Sequence, residues 1–304
     1  MPKASRPKAV HQLTIGQFET MFPDEDACKT YLQARRWPHG IRCPRCGNPE
    51  LYDASSYKPF HWQCRACAPD GYRFSILVGT IFENTNKPLR DWYRVIHLML
   101  TSKKGMSARQ LYRYMGFGSL KTAWYMCHRV RVALIERDMD KLGGIVEVDE
   151  TYIGGKDKNR HWDKKSGSRG RGDTLKTTVI GAVKRKGNVV ARVIENTARE
   201  TLEAFVREAV STKVSLLCTD DYAGYRRLGF KYRHGIIDHS NGHHVIGAVH
   251  TNTIEGFWSI IKRGVVGTFH KVSKKYLPLY VAEFQFRYNN RMNADIFGTA
   301  ITRC

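Results

Sequence analysis

Four of the eight cysteines form two pairs whose spacing can hold a metal ion. Cys43 and Cys46 make up the first pair, Cys64 and Cys67 make up the second, and 17 residues separate the pairs. A gap of two residues lets both thiolates of one tight turn reach the same ion at about 2.3 Å, and two such turns complete a closed tetrahedron. The spacing therefore predicts a structural zinc site with no open position for catalysis.

Three acidic residues occupy positions where a carboxylate is costly unless it has a role. Asp149 lies within an apolar strand pattern, Asp220 directly follows another, and Glu255 lies in the first turn of an apolar helix pattern. If the fold brings them together, their repulsion requires divalent cations, and two Mg²⁺ or Mn²⁺ ions could clamp both oxygens of a phosphodiester displacement. Spacing alone leaves a second interpretation open, in which each acid is an ordinary solvent-facing or helix-starting residue.

The hydrophobic pattern predicts the elements that position these side chains. Helices are expected over 13–37 and 88–137, and short aromatic strands are expected among the cysteines of 41–82. Within 88–137, a short helix, a glycine turn and a basic helix have the outline of a helix-turn-helix, although ordinary helical hairpins share that outline. From residue 143 the order becomes strand, hairpin, helix, strand and helix, with a loop over 230–250, and this order predicts an α/β layer on a mixed sheet.

The charge of the chain indicates its partner. The 304 residues include 50 Lys and Arg against 28 Asp and Glu, which gives a formal net charge of +22. The basic excess is +11 on each side of residue 142, so it is not confined to a tail. Hydrophobic residues make up 42% of the chain, which is enough for a core and excludes global disorder. Nucleic acid is therefore the predicted partner, contacted by both halves.

Two groups of basic residues are candidates for DNA contact. Residues 156–172 hold seven Lys and Arg among glycines and predict a basic loop, in which the candidates are Lys164, Lys165, Arg169 and Arg171. Lys262 follows Glu255 by seven positions, which is two helical turns on the same face. Lys262, with its neighbour Arg263, is expected to hold a DNA phosphate near the metals, and an ordinary exposed lysine is the alternative.

The sequence also indicates a compartment. No run of 18 apolar residues is present, so no transmembrane helix is expected, and the basic residues 1–12 are not followed by the apolar segment of a signal peptide. Eight cysteines are too few for a disulfide scaffold, and they are expected to stay reduced in the cytoplasm.

Several long segments, in order along the chain, resemble the motifs of one enzyme family. Val148–Gly155 and Thr219–Tyr225 resemble the two aspartate motifs, and His250–Arg263 the glutamate helix, of zinc-ribbon DDE transposases from bacterial insertion sequences. These ISXO-like proteins are bacterial relatives of Merlin transposases. Phe286–Arg291 is similar to the helix that follows in the family, and the cysteine pairs with Gly79–Phe82 are similar to its N-terminal ribbon.

The resemblance implies a ribonuclease-H-like catalytic domain in which Asp149, Asp220 and Glu255 bind Mg²⁺ or Mn²⁺. Asp220 matches the position after Thr in the second motif, whereas Asp221 would face the opposite way by strand alternation. The expected organisation is an N-terminal helical segment, a zinc ribbon, a helical (helix-turn-helix-like) DNA-binding region and the catalytic domain, at 1–40, 41–82, 83–142 and 143–304.

The activity implied by the resemblance is DNA transposition. Water activated by Mg²⁺ would cut the element end, and the 3′-hydroxyl so formed would attack target DNA. The ribbon and the helices would recognise the terminal inverted repeats, a homodimer or larger assembly would act on DNA, and the protein would be associated with the nucleoid. Two alternatives are a DNA-binding regulator without catalysis and a metal-dependent, structure-specific nuclease.

Overall fold

The computed structural model describes residues 13–67, 69–137, 139–154, 176–237, 247 and 249–304. The chain divides into two compact units, one formed by Met1–Leu134 with Asn290–Cys304 and the other by Ile135–Asn289. Among the helices that the structure describes, none is both long and apolar enough to cross a membrane.

The first unit combines a small antiparallel sheet with helices. Its helices and strands up to residue 133 are α1 (Ile15–Met21), α2 (Glu25–Arg36), β1 (Tyr52–Asp53), β2 (His61–Cys64), β3 (Tyr72–Ser75), α3 (Leu89–Thr101), α4 (Ala108–Met115) and α5 (Leu120–Ala133). The helices begin where the sequence predicts caps, because the side chains of Asp24, Ser107 and Ser119 each accept a bond from a backbone N–H of the following turn. Gly116, at φ +60°, ends α4 in the left-handed conformation that glycine adopts most easily.

The second unit is built on the mixed sheet that the sequence predicts. Its elements are β4 (Ile145–Ile153), β5 (Thr177–Lys184), β6 (Val189–Ile194), α6 (Arg199–Ala209), β7 (Leu216–Asp220), β8 (His234–Ile237), α7 (Asn252–Gly264) and α8 (Leu277–Asn289). The strand order is β6-β5-β4-β7-β8, with β4 antiparallel to β5 and parallel to β7. The expectation of a loop from residue 230 was wrong for β8, because this four-residue strand is formed through pairing with β7 rather than by a local apolar pattern.

The period-two alternation of the strands separates two cores in this unit. Val146 and Val148 of β4 pack with α6, in one cluster that includes Leu202 and Phe205. The other face of the sheet carries a second cluster, which joins β5 and β6 to α7 and α8 through Val179, Val183, Val189, Ile254, Phe257, Trp258 and Phe284. The residues of β4 that alternate with Val146 and Val148 therefore face α7, and Asp149 is one of them.

A last helix, α9 (Ile296–Arg303), packs within the first unit. The ring of Phe297 lies 5.6 Å from that of Phe22 and 5.5 Å from that of Tyr93, measured between centroids. The sequence grouped residues 290–304 with the stretch from 143. The packing differs because these aromatic contacts join opposite ends of the chain, which a local pattern does not reveal.

Candidate active site and zinc cluster

The two predicted aspartates lie on neighbouring parallel strands. The pairing of β4 with β7 ends where Glu147 lies opposite Cys218, and by strand alternation Asp149 and Asp220, each two residues further along, face the same side of the sheet. Asp220 is the last residue of β7, and its Oδ1 accepts a hydrogen bond of 3.2 Å from the N–H of Tyr222. The parallel register therefore brings both carboxylates to the face covered by α7.

Asp149 is half-buried and repelled by other acids. Its Oδ2 accepts a hydrogen bond of 3.0 Å from the indole Nε1 of Trp258 on α7. Desolvation, together with the charges of Glu150 and Asp220, raises the pKa of Asp149 from 3.8 to about 7. The backbone N–H of Glu150 and the indole of Trp258 lower this pKa only in part, so the negative charge of Asp149 is not fully compensated.

A glycine in the neighbouring strand makes room for the indole. Gly181 of β5 pairs directly with Asp149. A Cβ atom at Gly181 would lie 2.6 Å from Cη2 of Trp258 and 3.1 Å from Cδ1 of Ile254, both on α7. Because Gly181 leaves this space, the helix can approach the sheet closely enough for Trp258 to bind Asp149.

Glu255 is exposed in the first turn of α7, where its Oε1 accepts a hydrogen bond of 2.9 Å from the hydroxyl of Thr251. Lys262 is also exposed, two turns further along the same face, and Arg263 beside it is exposed as well. The helix thus carries an acidic first turn and a basic last turn, while Trp258 on its buried side contacts Asp149.

The three carboxylates do not close around a single point. Within the part of the chain that the structure describes, only four cysteines bring three or more potential ligand atoms within 4.8 Å of one another. Oxygens around one Mg²⁺ ion lie within about 4.2 Å of one another, whereas a pair of ions about 3.5–4 Å apart accepts a wider set. Asp149, Asp220 and Glu255 therefore do not form a preformed single-ion site within the described residues.

The buried acid Glu147 was missed in the sequence. It is fully buried on β4, and it accepts bonds from Arg185 and from the start of α7 at Thr253 and Ile254. The available signal was its position two residues before Asp149, since residues two apart in a strand share a face.

The four predicted zinc ligands form one cluster. The Sγ atoms of Cys43 and Cys67 are 3.8 Å apart, those of Cys46 and Cys64 are 3.5 Å apart, and all four lie within 4.8 Å of one another. Tetrahedral bonds of about 2.3 Å to zinc place sulfur atoms about 3.8 Å apart. Although desolvation acts in the opposite direction, the backbone N–H groups of Cys46 and Arg45 lower the pKa of Cys43 to about 7, which favours the thiolate that zinc binds.

The helices α3, α4 and α5 of the first unit carry a long stretch without acidic residues. Residues 92–135 contain eight Lys and Arg and no Asp or Glu. On α5, large and basic side chains are exposed at helical spacing, namely Leu120, Lys121, Trp124 and Tyr125. The predicted DNA contacts Lys164, Lys165, Arg169 and Arg171 lie outside the described residues.

Family models match both units of the chain. Residues 141–289 match an ISXO2-like transposase domain, and residues 23–69 match a transposase zinc-ribbon domain. The chain belongs to the ISXO2-like transposase family. The prediction from the motifs is therefore confirmed at the level of the family, and the zinc-ribbon match with the four-cysteine cluster supports a structural zinc ion.

Two relatives carry descriptions that refer to transposition. A protein of Halobacterium salinarum, described as an uncharacterized protein in transposable element ISH50, is 28% identical over 280 residues, which cover 88% of this chain and 91% of the relative. An uncharacterized transposase-like protein of Haemophilus influenzae is 31% identical over 106 residues, which cover 34% of this chain and 84% of the relative.

The cysteine cluster predicts one equivalent of zinc per chain in the purified transposase. Cys43→Ser should lower the zinc content and make 41–82 sensitive to protease, because metal ligation supplies folding energy to a ribbon with a small core. Elemental analysis and limited proteolysis measure both effects. Cys28→Ala, which removes a buried thiol outside the cluster, should leave the zinc content unchanged, and a zinc-free wild-type protein would contradict the assignment.

The raised pKa of Asp149 predicts a pH-dependent stability of the metal-free transposase. Because the folded protein holds this proton more tightly than the unfolded chain, the stability contributed by the group is lost as the pH rises toward 7. Asp149→Asn removes the charge but keeps an oxygen for Trp258. We expect a gain on the order of 2 kcal/mol at pH 8, limited because solvent reaches part of the carboxylate.

Thermal unfolding in EDTA at pH 5 and pH 8 measures this gain. It should shrink to less than half at pH 5, where Asp149 is protonated in the folded protein. A gain that does not change with pH, or a loss of stability at pH 8, would show that repulsion at Asp149 is not the cause.

Proposed function

We propose that this transposase cleaves the ends of an insertion sequence and joins the resulting 3′-hydroxyl to target DNA. The proposal is supported by the parallel pairing of β4 and β7, whose strand alternation turns Asp149 and Asp220 to the face covered by the helix that bears Glu255, and by the bond from Trp258 of that helix to Asp149. The mixed sheet of five strands supports a ribonuclease-H-like fold for 143–289.

The donor set of the site fits Mg²⁺ or Mn²⁺. Asp149, Asp220 and Glu255 offer carboxylate oxygens, which these ions prefer, and the raised pKa of Asp149 reflects acids that lack a compensating charge. When bound, the ions supply Lewis acidity to the attacking and leaving oxygens of the phosphodiester.

The side chains of the protein orient the acids and the DNA. Trp258 directs Oδ2 of Asp149, and the N–H of Tyr222 directs Oδ1 of Asp220. Lys262, exposed two turns beyond Glu255, would hold a phosphate of the DNA end. The nucleophile is water in the first step and the DNA 3′-hydroxyl in the second, so no covalent bond between protein and DNA forms.

The helices of the first unit would bind the terminal inverted repeats together with the zinc ribbon. The stretch 92–135 has no acid and carries exposed cations at Lys103, Lys104, Arg109, Arg113 and Lys121 that would attract phosphate, and the exposed face of α5 offers Trp124 and Tyr125 to a groove. Because two ends must be cut and joined together, we propose a homodimer or larger assembly on DNA, acting at the nucleoid in the cytoplasm.

Substitution of each acid tests the reaction. Asp149→Asn, Asp220→Asn and Glu255→Gln should each lower cleavage and joining by about three orders of magnitude or more, while binding to element ends persists. Labelled ends and plasmid DNA in Mg²⁺ report cleavage and joining, and a gel shift reports binding. Glu208→Gln is the matched control, because Glu208 is an exposed acid of the same unit that is paired with Arg192.

The products distinguish the alternatives. Cleavage without joined products would favour the structure-specific nuclease, and end binding without cleavage by the wild-type protein would favour the regulator. Full activity of Glu255→Gln would remove Glu255 from the proposed ligands.

Charge removal tests the DNA surface of the first unit. Replacing Lys103, Arg109, Arg113 and Lys121 by Ala one at a time should lower the slope of log affinity against log salt by about 1 for each phosphate contact that is lost. Arg192→Ala is the control, since the charge of Arg192 is already paired with Glu208. Unchanged slopes for all four variants would assign these cations to the solvated surface.

A further inference from the structure

Glu147 is a fully buried acid that the proposed chemistry does not use. Burying a carboxylate costs several kcal/mol unless hydrogen bonds and a counter-charge compensate for it. Glu147 lies two residues before Asp149 on β4, so both side chains face α7. Part of the compensation for the charge of Glu147 therefore comes from the same helix that carries Glu255.

The carboxylate of Glu147 caps α7 from the neighbouring sheet. Its Oε2 accepts the N–H of Thr253 at 2.7 Å and that of Ile254 at 3.0 Å, and its Oε1 accepts the hydroxyl of Thr253 at 2.9 Å. The first amides of a helix have no partner within the helix, and a side chain at the preceding residue usually accepts them. The side chain of Thr251, which occupies that position in α7, makes no such bond, so Glu147 supplies the cap.

Arg185 connects the same carboxylate to the residues before the helix. Its Nε donates to Oε1 of Glu147 at 2.6 Å, and its Nη2 donates to the backbone oxygen of His250 at 3.1 Å. The Nδ1 atom of His250 lies 3.2 Å from the same oxygen of Glu147. The chain from 250 to 254 is thus fixed to β4 immediately before Glu255.

We propose that Glu147 is a positioning residue, which sets the height and rotation of α7 over the sheet and thereby places Glu255 opposite Asp149 and Asp220. This inference rests on the proposed function. The helix is fixed to β4 at two points, by Glu147 at its first turn and by Asp149 through Trp258 one turn later. Glu255 lies between these two points.

The amide of glutamine cannot replace this carboxylate. An ionised carboxylate only accepts hydrogen bonds, whereas a glutamine amide offers one accepting oxygen and two donating hydrogens. Both oxygens of Glu147 are surrounded by donors, so Glu147→Gln places an amide group against N–H or O–H groups. The substitution keeps the size of the side chain, and in either orientation the NH2 group faces the helix amides or the guanidinium of Arg185, which weakens the cap.

Amide exchange and Mn²⁺ binding test the inference without relying on catalysis. In the full-length DNA-free protein carrying Glu147→Gln, the amides of Thr253 and Ile254 should exchange at least about tenfold faster. Mn²⁺ binding, measured from the electron paramagnetic resonance of the free ion, should weaken by about 10–100-fold. In end cleavage, kcat should fall while KM for DNA ends stays unchanged, and raised Mn²⁺ should restore part of kcat.

Two further variants separate positioning from general stability. Phe205→Leu leaves a cavity in the buried cluster on the face of the sheet opposite α7, and it should lower the melting temperature without changing exchange at 253 and 254 or Mn²⁺ binding. Arg185→Lys keeps a charge near Glu147 but loses the planar bridge to His250. It should therefore cause the same faster amide exchange and weaker Mn²⁺ binding as Glu147→Gln, to a smaller extent, and it remains informative if Glu147→Gln folds poorly.

The outcomes decide the inference independently of the reaction. Wild-type Mn²⁺ affinity and amide exchange in Glu147→Gln and Arg185→Lys, or the same losses in Phe205→Leu, would overturn the positioning role. A wild-type protein that cuts no DNA would overturn the proposed function, while the exchange and Mn²⁺ measurements would still show whether Glu147 fixes α7.

Discussion

The second unit depends on how the charges of two acids on one face of its central strand are compensated. Glu147 and Asp149 point from β4 toward α7, where solvation is poor and every carboxylate needs compensation. The compensation is uneven. Glu147 receives a guanidinium and two amides of a helix start, whereas Asp149 receives one indole N–H and one backbone N–H and faces the charges of Glu150 and Asp220.

Glu147 and Asp149 share one face of β4, but this difference in hydrogen bonding suits them to different roles. The accepting positions of the Glu147 carboxylate are all used by hydrogen bonds, so this side chain is suited to holding the helix in place. Asp149 keeps a raised pKa because burial and the charges of Glu150 and Asp220 outweigh its hydrogen bonds. The close approach of α7 that both contacts require is possible because Gly181 has no side chain to meet Trp258.

The first unit is stabilised by aromatic packing and by its cysteine cluster. Its ribbon contains a small aromatic core, with the rings of Trp37 and Trp62 5.5 Å apart and those of Trp62 and Phe74 5.9 Å apart, and the cysteine cluster adds a metal constraint. The helices α3, α4 and α5 carry the acid-free basic stretch. A structural metal site, a basic surface and a sheet face that carries carboxylates thus occupy separate parts of the chain.

The sequence by itself predicted the zinc-ligand spacing, most of the helices and strands and the family, because each depends on local spacing or on a continuous motif. Asp149 and Asp220 could be chosen from motifs, but their alignment required the parallel register of β4 and β7. The role of Glu147 was decided only by the tertiary structure, because its partners lie 38 and 106 residues away along the chain. The same holds for Gly181 and for α9, since pairing with Asp149 and packing against Phe22 are long-range contacts that no local pattern encodes.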